Sequence, residues 1–275
     1  MAPVAINIFN YTLPVCYFVL VWTYGKAFFA DKPWAKYAKT PILISVITLH
    51  LVSLVERTIV FRHPPVTTIF EIFTMLACAI AMTYFVIELY SQHKETGYFI
   101  LNIAFFFQLG SSIFIKDTPE VPEILRSFLF GVHVSSALLG YAAITIAGAY
   151  SLMYLMLYHE MKATQFGVIY KKLPTLETLE RMTFTAVTIA FLLLSLAILF
   201  GFIWLYRAID NPDYFDPKLI GTGIIWAMYG FFIIARTQYK WKGRKGMILS
   251  IIGFLISLFS MTIINIFFSS FHKFY

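Results

Sequence analysis

Charge is what this sequence has least of. Only 13% of its 275 residues are Asp, Glu, Lys or Arg, against about 25% in a soluble globular domain. So little charge cannot cover a soluble particle of this length, which excludes an ordinary soluble enzyme. A disordered chain is excluded too, because it would need the opposite balance of charge and apolar residues. Cysteine is equally scarce. Cys16 and Cys78 are far apart and each sits in an apolar run, so there is no disulfide scaffold and no C-x-x-C redox pair. No glycine-rich phosphate loop, H-E-x-x-H, G-x-S-x-G or carboxylate pair at hydrolase spacing is present.

What fills the chain instead is apolar: 60% hydrophobic and 19% aromatic residues, with no charge from Phe184 to Leu205. Runs of that length cross a bilayer. The fold class expected is therefore all-α, a polytopic membrane protein with about eight transmembrane helices. They are placed at 6–29, 41–61, 69–90, 97–115, 128–158, 183–208, 219–236 and 247–271. Pro41 is read as a helix start, where its missing N–H costs little. The segment LPTLETLERM is read as a short interfacial helix. The first apolar run lacks a basic flank and an A-x-A-like site, so it is read as a retained span. No internal repeat or low-complexity linker divides the chain, and residues 1–275 are expected to form one integral-membrane domain.

Fourteen of the 21 Lys and Arg residues fall at one set of helix ends, including Lys26, Lys32, Lys36, Lys39, Lys171, Lys172 and Arg236. Seven fall at the other, including Arg57, Arg62 and Lys116. The positive-inside rule then puts both termini outside and accounts for the net charge of +7 without any nucleic-acid partner.

This topology brings His133, near the start of the fifth span, and His272, at the end of the eighth, to the same outer depth. Two such histidines can ligate a haem iron, copper or zinc, or simply hydrogen-bond at the interface. His50 lies near the midplane, where a polar group is costly and is either functional or bonded between helices. Glu56, Arg57, Arg62 and Glu71 gather at the outer ends of the second and third spans. They form an interfacial ion-pair group, or else the two arginines meet the carboxylates of an anionic ligand.

Four segments carry a family likeness: HLVSLVERTIVFRHPPVTTIFE, GVHVSSALLGYAA, LPTLETLERMTFTAVTIAFLLLSLAILFGFIW and WKGRKGMILSIIGFLISLFSMTIINIFFSSFHKFY. In this order they resemble the CcsA/HemX-type cytochrome c assembly proteins, with their ResC and CcmC relatives. The resemblance implies that His133 and His272 ligate haem b, bound non-covalently, beside an outer loop, and that His50 lies on a transmembrane haem path. In that outer loop the family's tryptophan-rich motif is reduced here to Asp216, Pro217 and Lys218, with Tyr214 and Phe215 as aromatic substitutes. The histidine expected near the basic end of the seventh span is replaced by Ile234 and Ala235.

What this implies is a haem chaperone or haem-lyase subunit rather than a stand-alone enzyme. It would lie in the cell's inner (cytoplasmic) membrane and hold haem at the outer face for apocytochrome c, with a CcsB-like membrane partner and surrounding lipids. The alternative is a HemX-like regulator or assembly partner of haem biosynthesis. A secondary transporter would need inverted repeats and broken helices, and neither is visible in the sequence.

Overall fold

The computed structural model describes residues 4–116, 127–164, 166–208 and 215–264. Every regular element among them is helical. Eight of the helices are long and apolar enough to cross a membrane, so the chain is an all-α, multi-pass membrane protein. Its packing sorts into two compact units. One comprises residues 1–120 with 159–174, and the other 121–158 with 175–275.

The first unit is a bundle of α1 (Val4–Phe29), α2 (Pro33–Phe61), α3 (Ile69–Tyr90) and α4 (Gly97–Phe114). Helix α1 packs on α2 and α4, and α3 packs on the same two, which closes a four-helix ring. The breaks follow local chemistry. Pro33 opens α2 at its first turn, where no N–H partner is lost. Arg62 ends it in the left-handed conformation at φ 60°, and Pro64 and Pro65 keep the chain out of helix. Thr68 restarts the chain through a capping box: its hydroxyl accepts the Glu71 N–H while the Glu71 carboxylate reaches back.

One end of the bundle is closed by the buried carboxylate of Glu88. It accepts bonds from the Tyr24 hydroxyl and from the Thr40 hydroxyl at 2.6 Å. Here α4 starts on Gly97, where a Cβ would run into Tyr84 and Tyr24. Also in this unit is the short helix α6 (Val168–Lys172). The Asp31 carboxylate receives both Lys36 Nζ and Lys172 Nζ at 2.8 Å, and these hydrogen bonds hold its carboxyl down at about 2.

The second unit is built from α5 (Phe128–Lys162, up to Tyr158), α7 (Leu176–Ala208), α8 (Pro217–Thr237) and α9 (Arg244–Phe259), with a π turn over Ser260–Ile264. Helix α8 packs between α7 and α9. Glycines let α5 come close: Gly140 lies against Leu194 of α7, and Gly148 against Phe254 of α9. The Glu180 carboxylate pairs with Arg236 at 2.6 Å and accepts the Gly243 N–H at 3.0 Å, tying the turn before α9 to α7.

The largest departures from the sequence reading are at the starts of α2 and α7. Pro41 lies inside α2 rather than at its start. Pro33 already supplies a first-turn proline, and Ser45 bonds the Pro41 carbonyl. The LPTLETLERM segment is not a separate helix either. Thr175 accepts the Thr178 N–H in the manner of an N-cap, and α7 then runs unbroken from Leu176 because no Gly or Pro interrupts it before the bilayer.

Candidate functional site

His133 lies five residues after Phe128, the first residue of α5, and is half-buried. Its Nδ1 lies 2.7 Å from the Ala197 carbonyl of α7. A carbonyl can only accept, so Nδ1 carries the proton and the lone pair is on Nε2. This is the tautomer a metal-binding imidazole needs, with its second nitrogen fixed by a neighbour's oxygen. One turn beyond Ala197 is Gly201. A Cβ there would fall 2.7 Å from His133 Nδ1 and 2.8 Å from Cε1, so the imidazole can come this close to the α7 backbone only because Gly201 has no side chain. The ring of Phe130, one turn before His133, is centred 5.2 Å from that of Trp204, one turn after Gly201, and tilted against it, and it is 6.5 Å from the centre of His133. Phe130 and Trp204 are both buried.

The remnant of the outer loop lies at the start of α8. Asp216 is fully buried and immediately precedes Pro217, the first helical residue, and its carbonyl accepts the Ile220 N–H at 3.1 Å. Phe215, by contrast, is 82% exposed. Tyr214 and His272 lie outside the described residues.

His50 is fully buried in the four-helix unit, and both of its ring nitrogens are engaged. Nδ1 is 2.9 Å from the Tyr17 hydroxyl and Nε2 is 2.9 Å from Thr74 Oγ1. Thr74 gives its single hydroxyl proton to Gln108 Oε1 at 2.8 Å, and Gln108 Nε2 donates to Ser112 Oγ at 3.1 Å. Assigned from this network, His50 donates from Nε2 to Thr74 and accepts at Nδ1 from Tyr17. The chain of bonds crosses α1, α2, α3 and α4. Neither nitrogen in this arrangement offers a lone pair to a metal.

Arg57 is buried two turns further along α2. Its Nε and Nη2 reach Glu71 Oε1 at 3.3 and 3.1 Å, Nη2 also donates to the Lys116 carbonyl at 3.1 Å, and the guanidinium lies 4.9 Å over the Phe61 ring. The same Glu71 accepts from the Thr67 and Thr68 N–H groups and the Thr67 hydroxyl. Of the four charged residues expected together, Arg57 and Glu71 are paired, and Arg62 is exposed at the helix end.

Compared with known proteins, residues 42–272 match the model of the family described as cytochrome C assembly protein. The chain belongs to that family. A protein named HemX from Brevibacillus brevis is 25% identical over 224 residues, 79% of this chain and 80% of that one. A cytochrome c biogenesis protein CcsA from Parasynechococcus marenigrum is 24% identical over 272 residues, 87% of each. The cytochrome c biogenesis protein CcsA of Mesostigma viride is 24% identical over 220 residues, 71% of this chain and 72% of its own.

For this cytochrome c assembly protein, haem is the group to test against the residues present. His133 fits: its tautomer is correct, its orientation is fixed, and aromatic rings stand beside it. His50 fits only if Tyr17 or Thr74 releases it. Sequence reasoning missed Ala197, Gly201, Tyr17, Thr74 and Gln108. Two signals were available: Gly201 is the only glycine in the 33 residues of α7, and Thr74 and Gln108 interrupt otherwise apolar runs.

Proposed function

We propose that this cytochrome c assembly protein holds haem b non-covalently at the outer face of the cytoplasmic membrane and presents it to apocytochrome c beside a CcsB-like partner. The observation that carries the reading is the His133 imidazole, locked by the Ala197 carbonyl into the tautomer whose Nε2 can take iron. His272 is proposed as the opposite ligand. Tyr214 and Phe215 would cover one face of the macrocycle, and buried Asp216 would hold the start of α8 so that Phe215 stays at the surface. When bound, haem supplies the vinyl groups and iron that cytochrome c maturation requires. The residues named here hold, orient and shield it. A propionate at Arg57 would have to compete with Glu71, and a transmembrane role for His50 would require the Tyr17 or Thr74 bond to open.

A second reading, a HemX-like regulator or assembly partner of haem biosynthesis, is favoured by the reduced tryptophan motif and by the relative of that name. Purification with an absorption spectrum separates the two. Haem handling predicts bis-histidine Soret and α/β bands that are lost in His133→Ala and in His272→Ala, and loss of covalent haem from c-type cytochromes on deletion. Colourless protein, with haem-stained cytochromes unchanged by deletion, would refute it in favour of the regulator.

A further inference from the structure

Between α1 and α4 lies a groove of about 420 Å³, within the range of small-molecule sites. The two helices run antiparallel here and approach closely at Gly25, where a Cβ would lie 3.1 Å from the Tyr98 ring. The groove is graded along its length. Its end in the last turn of α1 carries Lys26; one turn deeper are Trp22 and Asn102; deeper still are Phe18 and Phe105, with ring centres 6.1 Å apart. At a rise of about 1.5 Å per residue, Lys26 and Phe18 stand about 12 Å apart along α1.

Among the described residues lining the groove, Lys26 is the one cation. Among the described residues Lys36 and Lys172 share Asp31, and Lys39 faces Glu88, whereas Lys26 lies 5.6 Å from the Trp22 ring centre with no carboxylate in ion-pair range. A half-buried ammonium over an indole keeps N–H donors for an anion. Cation first, then an amide, then an apolar aromatic trough is the order of groups in a phospholipid: phosphate, glycerol ester, acyl chain. A flat tetrapyrrole would instead call for two cations set side by side for its propionates.

We propose that this groove seats one anionic phospholipid, with its phosphate on Lys26, its ester region at Asn102 and an acyl chain along Phe18 and Phe105. This stands apart from the haem reading and survives its failure. The test is native mass spectrometry of the full chain released from micelles containing phosphatidylglycerol or phosphatidylcholine with matched acyl chains. Wild type is expected to retain the anionic lipid about fivefold more than the zwitterionic one, the effect of one lysine at a membrane surface. Lys26→Gln should abolish that preference, while Lys26→Arg and the exposed-site control Lys162→Gln should keep it. A Lys26→Gln protein that prefers phosphatidylglycerol as strongly as wild type would overturn the proposal. So would haemin displacing the bound lipid from wild type but not from Lys26→Gln, which would assign the groove to a tetrapyrrole.

Discussion

Replacing His50 with Ala is expected to unfasten the centre of the α1–α4 bundle while leaving His133, the proposed iron ligand, undisturbed. The substitution removes two hydrogen bonds of 2.9 Å, to Tyr17 and to Thr74. Side-chain hydrogen bonds between membrane helices average about 0.6 kcal/mol each. The fully buried Tyr17 hydroxyl is also stranded, which costs about 1–3 kcal/mol. Together these give about 2–4 kcal/mol before any cavity cost, or about 4–16 °C in melting temperature for a chain of this size. Both cysteines belong to this unit, Cys78 buried and Cys16 partly so, and a thiol-reactive fluorophore therefore reads its melting directly. His50→Gln, whose amide can still reach a neighbour, should recover part of the loss. Coincident melts of His50→Ala and wild type would refute the bonded-hub reasoning. Loss of an iron-ligand absorption signature in a His50→Ala protein that still melts cooperatively would show His50 to be a ligand.

Gly201→Ala places a methyl group 2.7 Å from His133 Nδ1 and must push the ring off the Ala197 carbonyl. Under the proposed function haem affinity should fall about 10–100-fold, as when an outer-shell partner is lost, and ¹⁵N shifts should show the His133 tautomers mixing even without haem. Gly131→Ala, where a Cβ meets nothing within 4 Å, should leave binding unchanged and stabilise α5 by about 0.5–1 kcal/mol. Glu71→Ala removes the carboxylate paired with the buried Arg57 and is expected to cost about 3–5 kcal/mol in a melting experiment. The Asp31 carboxyl is held below its ordinary value, so its contribution is complete above about pH 4 and is lost only as pH falls toward 2. Protease cutting of the 163–175 connection should therefore be flat from pH 5 to 8 in wild type. It should be faster in Asp31→Asn at low salt, with the difference shrinking at high salt as surface ion pairs are screened.

The membrane class and the existence of eight spans were legible because both follow from hydropathy summed over about 20 residues. Helix starts were less legible. Charged residues such as Glu177, Glu180 and Arg181 read as a border in the sequence, yet a helix leaves the bilayer without ending when no proline or glycine stops it. Pro41 reads as a start because a proline is tolerated in a first turn, and only the structure shows that the helix already begins at Pro33. His133 could be singled out from topology, but its settings could not: the Ala197 carbonyl is a backbone group 64 residues away, and Gly201 matters only through its distance from the ring. Likewise His50 stood out as a polar residue at the midplane, while its role depends on Tyr17, Thr74 and Gln108, which three other helices supply.

The oxygen that orients His133 belongs to a neutral peptide carbonyl, not to a carboxylate. A carboxylate would draw the Nδ1 proton toward itself and make Nε2 a stronger base and a tighter, more electron-releasing ligand. An amide oxygen draws it less, so the imidazole remains an ordinary neutral donor. Under the proposed function this sets a balance between capture and surrender: an iron at His133 would be gripped weakly enough to leave, and its reduction potential would sit higher than behind an anionic partner. If its task is the proposed one of handing on haem, a weaker grip shortens the residence time and favours transfer.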